Sequence, residues 1–152
     1  MRALTLSLAL LAVGWLILGL GLVLDARRGS PEPTIRRYLT DLEAHRLEAA
    51  SATLTPSAAE RWRDFLEFQQ FNHYGVVSVA VRSPSLIEAI LTRTPWRATH
   101  ATLVADVLEP SGIRWRGSTI VPLELRDGVW LLERPPFASG EPAATLLSDR
   151  GR

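Results

Sequence analysis

The chain opens on an unbroken apolar run, moves to a period of 3.6 residues, and finishes on a period of two. The opening run is Ala3 to Leu24, with no charged residue and with Thr5, Ser7 and the Trp15 indole as its only polar side chains. Twenty-two helical residues at ~1.5 Å each span about 33 Å, enough for a hydrocarbon core of ~30 Å. This predicts a transmembrane helix. A cleaved secretory signal is the alternative, but its apolar core is usually shorter and ends at a small-x-small site. Gly19-Leu-Gly21 is the best such site, and it lies inside the run. The flanks disagree about orientation. Arg27, Arg28, Arg36 and Arg37 favour a cytoplasmic C-terminal side, whereas Arg2 and the short leading segment favour an extracytoplasmic domain, which is the expectation adopted.

Gly29-Ser-Pro-Glu-Pro33 cannot continue a helix and reads as a linker. Apolar residues then recur at Ile35, Tyr38, Leu39, Leu42, Leu47 and Ala50, predicting an amphipathic helix from an N-cap at Thr34 to the Leu54-Thr55-Pro56 break, with Arg36, Arg37, Asp41, Glu43 and Glu48 on its wet side. A second helix is expected over 57–72, with Ala58, Trp62, Phe65, Leu66 and Phe68 or Gln69 inward.

From Val76 the period becomes two. Val76–Arg82 predicts a strand with Val77, Val79 and Val81 on one face. Ser85–Thr92 pairs Leu86, Ile87, Ile90 and Leu91 at helical spacing, with an extended segment as the alternative. Strands follow over 97–109, 113–125 and 129–134, joined by turns at Pro110-Ser-Gly112 and Arg126-Asp-Gly128. Residues 138–152 are small and polar and read as a disordered tail. The expected fold is α+β: a transmembrane anchor over 1–28, a linker over 29–33, and a domain over 34–137 in which two helices pack on a curved antiparallel sheet of about four strands. Its predicted core is Trp62, Phe65, Phe68, Leu103, Trp115, Val121 and Trp130.

Composition narrows the function. A net charge of +1 gives no basic field for nucleic acid. Cys is absent, which excludes thiolate catalysis, disulfides and Cys-ligated zinc. All 17 basic residues are Arg, a bias attributable to a GC-rich genome.

Tyr38-Leu39-Thr40-Asp41-Leu42, the break Leu54-Thr55-Pro56, and the closing Asp127-Gly128-Val129-Trp130-Leu131-Leu132 together resemble the NTF2-like, or cystatin-like, α+β superfamily. The resemblance covers residues 34 to 137. It is similar to membrane-tethered members without a catalytic role, and it implies a cone formed by sheet and helices. The departure is SLIEAIL, where such domains run into a second strand.

Catalytic chemistry is not legible. Of the three His residues, His45 lies on a helix beside charged neighbours, His73 is placed to cap a helix end, and His100 shares a strand face with Asp106. Six strand residues separate that last pair by about 20 Å, so they cannot meet. A His100 base oriented by Glu124 or a role for His73 is the weakest reading. No HxxxH, HExxH, Asp-rich loop, glycine-rich phosphate loop or G-x-S-x-G occurs, so no metal, cofactor or enzyme activity is expected. Arg114-Trp115-Arg116 places both guanidinium groups opposite the indole on a strand, a core Trp beside a wet face. The aromatic residues suggest a pocket or partner surface, with Trp62, Phe68, Phe71, His73, Tyr74, Trp96, His100, Trp115 and Trp130 as candidates. The expected function is a membrane-anchored, non-catalytic domain that binds a protein partner, as an accessory subunit of a membrane complex. The alternative is a small apolar ligand held in the cone at the membrane surface.

Overall fold

The structure is a computed structural model. It describes the backbone of residues 2–138 and Thr145–Leu146, and the side chains of residues 11–138. The described chain is α+β and divides into two compact units. One unit holds residues 1–29 and 83–96; the other holds the remainder.

In the first unit, helix α1 runs unbroken from Arg2 to Arg28 and ends on Gly29, whose φ of +66° terminates the helical hydrogen bonding. Among the described residues no helix is long and apolar enough to cross a membrane. The described side chains of α1 begin at Leu11, so only fourteen apolar-run residues precede Asp25. Residues 3–10, on which the transmembrane expectation also rests, lie outside that set. The second element of this unit is α6, Leu86–Thr92, capped by Ser85 through the Glu88 N–H and closed by Arg93 in the left-handed region.

In the second unit α2 spans Glu32–Glu43, α3 Leu47–Ser51, α4 Pro56–Arg61 and α5 Arg63–Gln69. The prolines of the expected linker start α2 rather than precede it: Pro31 occupies the cap position and Pro33 falls in the first turn, where no intrahelical N–H is needed. The cap at Thr34 is therefore displaced. Each of the two expected long helices is also divided. His45, at φ +55°, turns the chain between α2 and α3, and Trp62 interrupts α4 and α5. Asp41, expected on the wet face, is buried instead. It accepts from Arg46 Nη2 at 2.6 Å and pairs with Arg37 Nε at 3.5 Å, which ties the turn together.

The strands are β1 (His73–Arg82), β2 (Ala98–Leu108), β3 (Arg114–Arg126) and β4 (Val129–Leu132), an antiparallel meander in the order β1-β2-β3-β4. A short β5, Thr145–Leu146, pairs with β3 at Trp115 and Arg116. It falls within the segment expected to be disordered, most of which lies outside the described residues. Alternation on β2 is as expected: Thr99, Ala101, Leu103, Ala105 and Val107 all point inward. On β1 it is not. The register slips between Val76 and Ser78, so Val77 is an extra residue, 51% exposed. Tyr74 and Val76 point inward before this bulge, and Val79 and Val81 after it, each opposite an inward residue of β2. At the β3–β4 turn Asp127 and Gly128 both have positive φ, the conformation a two-residue hairpin requires.

The core lies between α2 and the inner sheet face. Ile35, Tyr38, Leu39 and Leu42 pack with Leu103, Val107, Val121, Leu123, Trp130 and Leu132. Of the predicted core, Leu103, Val121 and Trp130 are buried, Trp62, Phe65 and Trp115 are half-buried, and Phe68 is 67% exposed. Phe68 precedes the inward Gln69 on α5, which gives the buried position to the amide rather than the ring.

Candidate functional site

The aromatic candidates do not form one site. Trp96 belongs to the first unit, the others to the second. Within the second unit they separate further. Phe68 and Phe71 are exposed, with Phe71 tilted against His45 at 6.0 Å. Trp62 meets Phe65 edge-on at 5.8 Å. His73, the first residue of β1, is exposed and caps no helix. His100 is exposed on the outer sheet face, in register with Arg82 and Pro122. Glu124, offered as its partner, instead accepts from Arg126 Nε at 2.9 Å.

Tyr74, Trp115 and Trp130 do converge on the interior, where they meet a hydrogen-bonded and stacked network. The Tyr38 hydroxyl donates to Gln69 Oε1 at 2.6 Å, and Gln69 Nε2 donates to the Pro136 carbonyl at 2.8 Å. The Tyr74 hydroxyl donates to the Gln69 carbonyl and accepts from Asn72 Nδ2. Phe137 stacks on Tyr74 and meets Trp115 at 90° with centroids 5.3 Å apart. Pro135 and Pro136 are fully buried, so the segment after β4 packs into this interior. Burial pushes the Tyr74 hydroxyl up to about 12, helped by the nearby Glu43 and Glu109 carboxylates and opposed by its Asn72 and Gln69 hydrogen bonds. Burial likewise raises Tyr38 well above the ordinary range, with Tyr74 adding to it. Both phenols therefore stay protonated at neutral pH and serve packing and hydrogen bonding.

The second unit does have an open groove, of about 700 Å³, between α3, α4 and α5. Leu47, Ala59 and Leu66 form its floor; Glu48, Glu60 and Glu67 line it against the single cation Arg63. The sequence reading put Leu47 and Leu66 on inward stripes and Glu48, Glu60, Arg63 and Glu67 on the wet side, and assigned none of them to a site. The division of the expected helices at His45 and Trp62, which the sequence did not show, makes α3, α4 and α5 the separate short helices that line the groove.

In the first unit the candidate Trp96 joins Asp25 and Arg28 in a polar cluster at the end of α1, a grouping the sequence did not show. Asp25 accepts from the Leu86 N–H with both carboxylate oxygens, at 3.1 Å each, and from Trp96 Nε1 at 2.7 Å. Arg28 Nη1 donates to the Pro84 and Trp96 carbonyls at 2.9 Å, and its guanidinium lies 5.3 Å from the Trp96 ring centre. Ile87 packs against Gly21, where a Cβ would stand 3.7 Å from Ile87 Cγ1. A lone acid directly after an apolar run is a signal for such a partner, but its donors lie more than sixty residues away.

Among the described residues no group of three or more His, Asp or Glu is placed to hold a metal ion. Comparison with protein-family models and with curated proteins finds no match to the chain.

Proposed function

We propose that this chain is a membrane-anchored, non-catalytic α+β domain of NTF2-like architecture that binds a protein partner, as an accessory subunit of a membrane complex. One observation carries the anchor: from Leu11 to Val23 large apolar side chains of α1 are exposed all round the helix, Trp15 at 74% among them. A helix apolar on every side is stable only in a protein core or a bilayer, and the sequence extends this run uncharged to Ala3. The NTF2-like reading is supported by helices preceding a meander whose inner face packs on them. On this reading the domain lies outside the cytoplasm. The groove supplies the partner site: an apolar floor with three Glu to one Arg suits a basic amphipathic helix. The Tyr38–Gln69–Pro136 hydrogen bonds and the Phe137 contacts with Tyr74 and Trp115 occupy the interior with the chain's own groups, which favours the partner reading over a small apolar ligand.

Alkaline carbonate extraction of membranes from expressing cells tests the anchor. The chain is expected to stay in the pellet, and release into the supernatant sinks the reading. Protease protection across Ser30–Pro33 reports the side on which the domain lies. For the partner, Glu60→Arg with Glu67→Arg is expected to abolish an in-cell crosslinked species while leaving thermal stability unchanged. An unaltered crosslink places the partner elsewhere.

A further inference from the structure

The insertion Ser83–Trp96 between β1 and β2 is polar at its ends and apolar in its middle. Four of its polar groups are met by the end of α1: Asp25 takes the first helical N–H of α6 and the Trp96 indole, and Arg28 takes the Pro84 and Trp96 carbonyls. Ile87 contacts Gly21, and Ile90 and Leu91, three and four residues on, flank it on the same side of α6 with 67% and 78% of their surface exposed, while the buried Ala89 lies on the opposite side. Gly21 to Asp25 is about 6 Å of helix at ~1.5 Å per residue, so α6 touches α1 within one turn of the point where its apolar run ends. In a bilayer that level is the boundary between acyl chains and headgroups. There an unpaired carboxylate is costly, and an indole under a guanidinium is well suited.

We infer that Ser83–Trp96 is a second membrane contact, in which α6 seats Ile90 and Leu91 in the outer acyl layer of the lipid while Asp25, Arg28 and Trp96 clamp it to α1. The inference rests on the anchor reading of α1. Exposed Ile90 and Leu91 then continue the exposed apolar surface of α1 rather than forming an isolated patch, and exposed Arg27 and Arg93 face anionic headgroups.

The absence of native Cys allows single-site labelling of the full chain. Leu91→Cys, Leu16→Cys and Thr102→Cys, each carrying an environment-sensitive fluorophore, are reconstituted in phosphatidylcholine–phosphatidylglycerol vesicles containing lipids spin-labelled at a shallow or a deep acyl position. The probe at 91 is expected to be blue-shifted and to lose most of its emission to the shallow quencher. The probe at 16 should respond to the deep quencher, and the probe at 102 to neither. Water-like emission at 91 with quenching retained at 16 overturns the inference and leaves the anchor standing. Blue-shifted emission at 91 that no lipid quenches also overturns it, by placing α6 against protein. Loss of quenching at both 16 and 91 removes anchor and inference together.

Discussion

Gly117 is buried on β3 beneath the Trp115 ring, and a Cβ there would collide with that ring and stand 3.0 Å from Phe137. Gly117→Ala therefore has to move the Trp115–Phe137 pair, and overpacking of this kind costs ~1–3 kcal/mol. A lowered thermal midpoint with altered near-ultraviolet Trp dichroism is the expected result; an unchanged midpoint would show that the pair can shift freely. The only two tyrosines, Tyr38 and Tyr74, give a second prediction. The folded-state value of Tyr74 is raised from 10.0 to about 12. The unfolded chain therefore loses this proton first, and the associated stability is fully present below pH 10 and is lost as pH rises towards 12. A two-unit shift corresponds to roughly 3 kcal/mol. Tyrosinate absorbance should appear late and together with unfolding. Titration near pH 10 in a folded chain would contradict the buried network.

The bulge at Val77 decides the faces of β1. Strict alternation over the whole strand would turn either Tyr74 and Val76 or Val79 and Val81 outward, because a one-residue slip exchanges the two faces of a strand. Deleting Val77 exposes one of these pairs, at about 1.5–3 kcal/mol per large side chain, and is expected to cause a large drop in the denaturant midpoint. Substituting Val77 by Thr, which keeps the count, should have little effect. At the end of α1, Asp25→Ala leaves the Leu86 N–H and the Trp96 indole without their acceptor. Hydrogen bonds to charged groups contribute ~1.5–3 kcal/mol, equivalent to tenfold or more in opening. Amide exchange at Leu86 should quicken accordingly while that of β2 is unchanged. Equal exchange in both forms would show that α6 holds its place by apolar packing alone.

Across the whole molecule the two compact units divide the work. Among the described residues, the hydrophobic core of the second unit, from Ile35 to Leu132, is built from that unit's own side chains. Removing residues 1–29 is therefore expected to leave a cooperative thermal transition and, if α1 is the proposed anchor, to abolish membrane association. Loss of the transition would show that the core depends on α1. The near-neutral net charge matters at this scale too. If the chain binds a partner as proposed, a near-neutral charge gives no general field to draw it in, and the acidic groove on α3–α5 is the local patch that reading relies on.

Periodicity alone placed most elements. The apolar run, the inward face of β2, the two hairpin turns and the Ser85-capped α6 are local: each follows from side-chain spacing, a cap, or a residue that tolerates positive φ. Three features were not local. The bulge arises because β1 must satisfy two inward pairs of opposite parity against one straight β2. Phe68 lost the interior to Gln69 because only an amide both accepts from Tyr38 and donates to Pro136. Asp25 found its donors sixty-one and seventy-one residues along the chain. Sequence spacing reports what neighbours in the chain can do. Which face a bulge frees, which polar group merits burial, and what meets the end of α1 depend on groups brought together only when the chain has folded.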